Sequence, residues 1–435
     1  MTPSICFYFQ VHQPYRLRDL RAFEIGNGME NYFDDEKNHT VFRKVAEKCY
    51  LPANKLMLEL LQQYPEYRIA YSLSGVFLDQ CEEYGEDVLD SFRALAETGR
   101  VEFLAETYYH SLSILKSLDE FCEQVSMHTK KIKELFGQTP SVFRNTELIY
   151  NNELAQIARL MGFSGIMAEG ADHLLFGRSP NEPFSPPQFR LAPSQESIIR
   201  EKRPLDKRSR DITILLKNYR LSDDVAFRFS DKSWMGFPLN ADTFTDWLCS
   251  SGGHSVNLFM DYETFGEHQW EDTGIFEFLR ELPRIWEERG IKTALPSEVI
   301  QSYKKENREQ YDVHKHISWA DMERDLSAWQ GNRIQDSALE ALYALEHPIK
   351  ESGDASLLET WRKLQTSDHF YYMCTKYWSD GDVHKYFSPY DSPYEAYRRF
   401  SHALCDLRSR LKTISNDQIP IIRHRFIEYW KFNGN

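Results

Sequence analysis

The sequence lacks the patterns that tie a chain to a disulfide framework, a membrane or a nucleotide. Its seven cysteines are scattered, and no two of them have the C-x-x-C spacing of a redox or zinc motif. No apolar run reaches about 18 residues, the length of a membrane-spanning helix. No G-x-G-x-x-G or G-x-x-x-x-G-K-[ST] loop follows a predicted strand, so nothing supports nucleotide binding.

Positive charge is also scarce. The chain has 52 Lys and Arg against 66 Asp and Glu, which gives a formal net charge of −14. Nucleic acids and anionic membranes require basic surfaces, so a neutral partner is expected. The first residues, MTPSICFYFQ, contain neither a basic leader nor a signal-peptide apolar region, which predicts a soluble cytoplasmic protein with reduced thiols. No pattern calls for a cofactor, and none specifies the oligomeric state.

Short apolar runs alternate with amphipathic helical patterns over the first 300 residues. Because the runs are continuously apolar, they are typical of parallel strands that are covered on both faces. The candidate strands are 5–13, 68–75, 101–107, 142–147, 165–169, 212–217 and 256–263. Seven such units predict an α/β fold, a closed or nearly closed (β/α)7 barrel, with an open doubly wound sheet as the alternative.

The pattern changes at about residue 302. Helical periodicity dominates the rest of the chain, so we predict a barrel domain over 1–301 and a C-terminal helical domain over 302–435. The predicted helices are 319–347, 354–378, 392–414 and 419–432. Within the barrel, the segment 176–211 is rich in Pro, Ser and charge, and we interpret it as a lid over a cleft rather than a disordered loop.

Polar residues cluster where the predicted strands end, which is where active sites of α/β barrels lie. They are His12 and Gln13 after the first strand, Glu102, Glu106, Tyr108, Tyr109 and His110 on the third, Glu147 on the fourth, and Asp261 and Glu263 on the seventh. Two hypotheses fit such residues. His12, His110 and Asp261 could hold a metal, as in metal-dependent deacetylases. Alternatively, two carboxylates could flank a glycosidic bond, one of them ionised and the other protonated.

Five motifs decide in favour of the second hypothesis. FQVHQP, GRVEF, FRNTEL, FMDYETFGEH and QTSDHFYY occur in the order and rough spacing of the five signature regions of glycoside hydrolase family 57, which the chain resembles from His12 to Asp368. The resemblance implies a catalytic (β/α)7 barrel followed by a helical domain. It also implies a retaining mechanism on α-glucans, without an obligatory metal or cofactor.

The resemblance also assigns roles to residues. Glu147 matches the nucleophile and Asp261 the acid/base. His12 and Glu102 match groups that line the sugar site, Glu263 matches the second acid of the fourth region, and Asp368 matches the region that the helical domain lends to the cleft. FRNTEL departs from the usual aromatic-rich third region, which bears on the subgroup rather than on catalysis.

Several further residues are expected at the sugar. Aromatic residues make up 14% of the chain, so some rings are expected outside the core, where they can stack on a pyranose. Trp270 and Trp319 are the candidate platforms, and Gln13 and His110 are expected to contact the substrate.

The expected activity is that of an α-amylase, which hydrolyses α-1,4 bonds in starch, glycogen or maltooligosaccharides. A 4-α-glucanotransferase is the alternative within the family. Chain length favours the amylase mildly, because several transferases of the family carry an extra C-terminal β-domain. A metal-dependent polysaccharide deacetylase and a non-catalytic glucan-binding homologue are the more distant alternatives.

Overall fold

The structure, a computed structural model, describes residues 2–26, 31–206, 209–303, 308–376 and 387–414. The described ranges contain seven strands, each of which begins within one residue of the start of a predicted run. They are β1 Ser4–Val11, β2 Ile69–Leu73, β3 Val101–Phe103, β4 Val142–Arg144, β5 Gly165–Glu169, β6 Thr213–Lys217 and β7 Ser255–Asp261. Nearly every residue of these strands is buried, as expected for strands with an apolar surface on each face.

The strands follow one another around a parallel barrel. One sheet has the order β3-β2-β1-β7 and the other the order β4-β5-β6. A parallel bridge between Ala105 and Phe143 joins β3 to β4. The side-chain amide of Asn257 donates to the carbonyl of Leu216 at 2.9 Å and joins β7 to β6. The predicted (β/α)7 barrel is therefore confirmed.

Helices connect the strands and make up most of the chain after β7. They are α1 Asp35–Val45, α2 Leu51–Gln63, α3 Gly75–Tyr84, α4 Glu86–Glu97, α5 Leu118–Phe136, α6 Asn152–Met161, α7 Asp172–Leu175, α8 Pro193–Lys202, α9 Tyr219–Ala226, α10 Ala241–Ser250, α11 Ile275–Glu288, α12 Pro296–Ser302, α13 Ser327–Gln330, α14 Arg333–Tyr343, α15 Glu346–Ser352, α16 Ala355–Lys363, α17 Ser367–Tyr371 and α18 Pro393–Ile414. A π-helical turn, Ala46–Tyr50, links α1 to α2.

Helix α5 shows how the sequence sets the ends of these helices. The Ser117 hydroxyl accepts a hydrogen bond from the backbone amide of Glu120, and Gly137 ends the helix with a φ of +69°. Both ends follow from the residue types, because Ser satisfies a free amide and Gly adopts the left-handed conformation without strain.

The C-terminal helices lie against loops of the barrel. Their apolar core, which includes Trp329 and Trp361, also takes in Tyr15, Tyr108 and Tyr109 from the loops after β1 and β3. Backbone pairing fixes the contact, since the segment before α17 forms an antiparallel bridge from Thr366 to Ser111. The helical part of the chain therefore lies over the end of the barrel where β1 and β3 finish.

Two predicted helices need correction or lie outside the description. The predicted helix 319–347 is interrupted, because a loop precedes α13 and two turns separate α13, α14 and α15. The predicted helix 419–432 lies outside the described residues. In the described ranges, no helix is both long enough and apolar enough to cross a membrane.

The interpretation of 176–211 as a lid is wrong for its helical part. Helix α8 packs against α5 and α6 on the outside of the barrel, with Ile199 buried among them. The Lys202 ammonium lies 2.6 Å from the Asp119 carboxylate and also contacts Glu123 on α5. The Pro- and Ser-rich composition hid a short amphipathic helix that covers outer helices rather than a cleft.

Gly266, in the loop after β7, is expected to be indispensable. Its φ is +114°, and a Cβ there would lie 1.9 Å from the carbonyl oxygen of Lys48. Gly99 is a matched control, because its φ is +69° and a Cβ would meet nothing within 4 Å. Gly99→Ala should cost about 1–2 kcal/mol of unfolding free energy from backbone strain alone, and Gly266→Ala should cost more. Urea unfolding followed by tryptophan fluorescence measures both, and equal losses would contradict the close approach.

Candidate active site

Glu147 sits in a strained turn at the C-terminal end of β4. Its φ is +58°, Leu148 beside it has +50°, and His110 after β3 has +48°. Such values are uncommon for residues other than glycine and cost about 1–3 kcal/mol each. Strain of this kind persists only where the surroundings fix the backbone, and it concentrates at functional sites.

Three donors hold the Glu147 carboxylate. Oε1 accepts from the Ser367 hydroxyl at 2.8 Å and lies 3.4 Å from Nε2 of His110. Oε2 accepts from the indole N–H of Trp319 at 2.8 Å. Burial by itself raises the pKa of Glu147, but the hydrogen bond and charge of His110, with the charge of Arg144, bring that pKa below its ordinary value. Glu147 is therefore kept ionised, while its side chain is still 17% exposed.

His110 lies between two carboxylates. Its Nδ1 is 2.9 Å from the buried carboxylate of Glu106, which also accepts from Ser72 at 2.7 Å and from Gln10 at 3.3 Å. Although burial lowers the pKa of His110, its bonds to Glu106 and Glu147 raise it to about 9. Burial likewise raises the pKa of Glu106, and His110 outweighs this and lowers it to about 2. At neutral pH the ring is an imidazolium between two anions.

The ring of His12 stacks on that imidazolium. The ring centroids are 4.1 Å apart and the planes differ by 20°. Burial and the charge of His110 lower the pKa of His12, so the second ring stays neutral. Its Nδ1 lies 2.7 Å from the Ser74 hydroxyl and its Nε2 lies 2.9 Å from the Asp368 carboxylate on α17. A residue of the helical part thus completes the site.

Asp261 ends β7 and has the opposite character to Glu147. None of the hydrogen bonds between described residues uses its carboxyl group, and the residue is partly exposed. Burial and the charge of Glu147 raise the pKa of Asp261 to about 6, against the opposing charges of Arg144 and Lys217. Glu147 is therefore ionised, while Asp261 is half protonated at about pH 6 and increasingly protonated below it.

Glu263 and Gln13 are both hydrogen-bonded to the hydroxyl of Tyr50. The Tyr50 hydroxyl donates to Oε1 of Glu263 at 2.5 Å, and Gln13 donates to the Tyr50 oxygen at 3.2 Å. Burial, followed by the charge of Asp261, raises the pKa of Glu263 to about 8. Glu263 is thus mostly protonated at neutral pH, which limits repulsion between the two acids of the MDYE motif.

Sequence reasoning missed a group of charges at the ends of three strands. Arg144 ends β4, Glu169 ends β5 and Lys217 ends β6, and all three are buried. Arg144 and Lys217 lie 5.0 and 5.2 Å from the ring centroid of Trp319. The signal was present in the sequence, because a charged residue that ends an apolar strand is costly unless it faces a polar site. Ser367 was also missed, and no pattern marked it.

Two predicted residues lie elsewhere. Glu102 accepts from the backbone amide of Ser297 at the start of α12, at 3.0 Å. Apolar residues that fill the barrel, among them Met167 and Phe259, lie between Glu102 and the carboxylates at the C-terminal end of the barrel. Trp270 is 57% exposed, and its described ring contact is with the ammonium of Lys48, at 5.0 Å. The other predicted residues, which are His12, Gln13, His110, Glu147, Asp261, Glu263, Trp319 and Asp368, lie at the C-terminal end of the barrel.

The histidines of the site are committed to hydroxyl and carboxylate partners. The two nitrogens of His12 contact Ser74 and Asp368, and those of His110 contact Glu106 and Glu147. In the part of the chain that the structure describes, no group of three or more His, Cys, Asp and Glu is arranged to hold a metal ion.

The charge on His110 can be tested directly. With the ring nitrogens labelled with 15N, His110 should remain doubly protonated up to about pH 9, whereas His12 should be neutral at pH 7. Glu106→Gln removes the strongest partner of the imidazolium and should lower the pKa of His110. A titration of His110 near pH 6.5 in the wild-type protein, or no change in the variant, would contradict this assignment.

Sequence comparisons find relatives of this chain among known proteins. A family model described as Glycosyl hydrolase family 57 matches residues 6–314. A protein of Methanocaldococcus jannaschii named "Putative alpha-amylase" is 43% identical over 423 residues, which cover 94% of this chain and 85% of that protein. An alpha-amylase of Pyrococcus abyssi is 23% identical over 60% of this chain, and the match spans 37% of its own length.

A solved structure shares the fold. The branching enzyme of Pyrococcus horikoshii superposes with a TM-score of 0.62 at 15% identity, over 92% of this chain and 95% of that enzyme. This likeness extends through the C-terminal helices, because it covers nearly the whole of both chains. The family model covers well over half of the residues, and the relative from M. jannaschii aligns over nearly all of them. The chain belongs to glycosyl hydrolase family 57.

Proposed function

We propose that the protein is a retaining glycosidase that hydrolyses α-1,4-glucosidic bonds in starch- or glycogen-type glucans and maltooligosaccharides. The observation that carries the proposal is the opposed protonation of Glu147 and Asp261 at one end of the barrel. A retaining glycosidase needs one ionised and one protonated carboxyl group on the two sides of the scissile bond. The α-amylase names of the relatives support a glucan as substrate.

The first step forms a covalent intermediate. Asp261 gives its proton to the glycosidic oxygen as the bond from that oxygen to the anomeric carbon breaks. Glu147 attacks the anomeric carbon with a carboxylate lone pair, and a glucosyl ester results. The positive charge of His110 and the hydroxyl of Ser367 hold Glu147 in place for the attack.

The second step releases the sugar. Asp261, now ionised, accepts a proton from a water molecule while the water oxygen attacks the anomeric carbon, and Glu147 leaves with the bonding electron pair. His12 and Asp368, whose side chains are 10% and 22% exposed, are assigned to bind sugar hydroxyls. We further propose that residues 1–301 form the catalytic domain and that residues 302–435 form a helical domain, which supplies Trp319, Ser367 and Asp368.

A 4-α-glucanotransferase is the second candidate. Two relatives carry that name, from Thermococcus litoralis and Thermococcus kodakarensis, and each is 25% identical to this chain. The matches span 22% and 24% of those proteins, so the support is narrower than for the amylase. A transferase would use the same two carboxyl groups and pass the glucosyl group to a sugar hydroxyl. Membership of a glycosyl hydrolase family removes the support for the deacetylase hypothesis.

Product analysis with maltoheptaose and soluble starch tests the proposal. Glu147→Gln should abolish nearly all turnover, and Asp261→Asn should lower it by roughly 10²–10⁴-fold, as for the loss of a general acid. Glu102→Gln is the matched control, because it changes a buried carboxylate outside the site and should leave the products unchanged. Shorter sugars alone indicate a hydrolase, and longer sugars alongside shorter ones indicate a transferase. Near wild-type turnover in Glu147→Gln would refute the nucleophile.

The pH dependence of kcat/KM gives a second test. Activity needs protonated Asp261, so kcat/KM should fall as the pH rises through about 6. At low pH, kcat/KM should fall only below the pH range in which an ordinary glutamate titrates, because the pKa of Glu147 is lowered. Lys217→Met removes a positive charge near Asp261, which should raise the pKa of Asp261 and move the alkaline fall to higher pH. An alkaline fall that stays fixed in this variant would have to be assigned to another group.

A further inference from the structure

The two oxygens of Glu147 have unequal partners. Oε1 contacts two donors, the hydroxyl of Ser367 at 2.8 Å and the charged ring of His110 at 3.4 Å. Oε2 accepts one hydrogen bond, from the neutral indole of Trp319 at 2.8 Å. The oxygen that bonds to a sugar becomes an ester oxygen, which is a poor acceptor, whereas the other becomes the ester carbonyl and continues to accept. Attack through Oε1 would therefore weaken the contacts with two donors, one of which is charged. Attack through Oε2 would weaken only one hydrogen bond, from a neutral donor.

We propose that Oε2 of Glu147 is the attacking atom and that the Trp319 N–H is a catalytic donor that speeds release of the sugar from it. This inference rests on the retaining mechanism proposed above. Trp319 then has a role different from that of a stacking platform, because its indole N–H points toward the reacting oxygen.

The indole is fixed in its position. The backbone amide of Trp319 donates to the carbonyl of Glu147 at 3.2 Å, so the two residues are joined through main chain and side chain. The guanidinium of Arg324 donates to the carbonyl of Trp319. Asp321 and Arg324 both have a φ of +53°, which a loop adopts only when its contacts hold it. The donor therefore stays beside Oε2 through both chemical steps.

Two cations strengthen the donor. Arg144 and Lys217 lie 5.0 and 5.2 Å from the ring centroid of Trp319, within the range of a cation–π interaction. A cation beside the π-system draws electron density from the ring, which makes the indole N–H more acidic and a better donor. The hydrogen bond to Oε2 is consequently most favourable when that oxygen carries negative charge.

The hydrogen bond from Trp319 then affects the rates of the two chemical steps in opposite directions. In the first, the bond from Oε2 to the anomeric carbon forms, Oε2 loses its negative charge and the hydrogen bond from Trp319 weakens. In the second, a water oxygen bonds to the anomeric carbon, the water proton goes to Asp261, and the electron pair returns to Oε2. Trp319 stabilises that returning charge. Loss of the N–H should therefore slow the second step by roughly 10-fold, the effect of one hydrogen bond to a charged group, and leave the first step unimpaired.

Trp319→Phe removes the N–H and keeps an aromatic ring. A second variant with 3-benzothienylalanine at position 319 keeps the indole shape without the donor, so it serves if the Phe variant does not fold. Trp329→Phe is the matched control, because this indole is buried among the C-terminal helices and packs against Tyr371 at 6.2 Å. The substrate is a 4-nitrophenyl α-maltooligosaccharide, whose release of nitrophenolate reports the first step in stopped flow.

The expected result has three parts. Both variants at position 319 should keep kcat/KM at or above the wild-type value, show a larger initial burst of nitrophenolate, and accumulate a glycosylated peptide that contains Glu147. Azide should speed their turnover, since it attacks the intermediate that water now releases slowly. The control should behave as the wild type does.

Other outcomes overturn specific claims. A fall in kcat/KM without a larger burst in the benzothienyl variant would mean that Trp319 only shapes the cleft, and the inference would be wrong. An active Glu147→Gln enzyme, together with no adduct on the Glu147 peptide in any variant, would refute the retaining mechanism itself. The two failures are thus distinguishable in the same set of proteins.

Discussion

The candidate site depends on the contacts of one buried imidazolium, the protonated ring of His110, with two carboxylates. Glu106 and Glu147 face His110 from its two nitrogens, and its positive charge favours the ionised form of both carboxylates against the effect of burial. Coulomb interactions at 3–4 Å are several times stronger in such a setting than in water. Burial and the same charge, across a 4.1 Å stack, keep His12 neutral, which leaves His12 able to bond to Asp368 and Ser74 without adding repulsion. The proton on His110 therefore influences the charge of three neighbouring groups, which are Glu106, Glu147 and His12.

The barrel alone does not complete this arrangement. The ends of its strands and the loops after them supply the two histidines and most of the carboxylates, while the C-terminal part of the chain supplies Trp319, Ser367 and Asp368. The contact is made by main chain as well as side chain, since the backbone amide of Ser367 donates to the carbonyl of His110 at 2.9 Å. The helices thus do more than cover an apolar surface of the barrel.

Sequence patterns predicted the strands well, for a physical reason. A parallel strand covered on both faces must be apolar throughout, and such runs are visible without knowledge of the partners. The order of the motifs likewise led to Glu147 and Asp261. The sequence does not show in the same way at which end of the barrel a polar residue lies. Glu102 lies near the start of a three-residue strand, and only the position of α12 shows that it faces the other end of the barrel.

Other features depended on tertiary contacts that no local pattern encodes. Helix α8 has a weak apolar face, and it is recognisable only from its packing on α5 and α6. Ser367 is an ordinary serine until the backbone bridge from Thr366 to Ser111 brings it to Glu147. Trp270 follows Asp261 closely in sequence, but the loop turns its ring toward Lys48 and solvent. Proximity in sequence to a predicted catalytic residue did not imply proximity in space.

The hydrogen bonds of Glu147 to Ser367 and Trp319 have a consequence for how such a protein can diverge. These bonds also fasten the helical part of the chain to the barrel, so residues of the candidate site help to hold the two parts together. Substitutions on the outward faces of the C-terminal helices are free to accumulate, whereas the short stretch around α17 and the turn at Trp319 must change in step with the barrel. Drift in one part is therefore expected to be limited by what the other can accommodate.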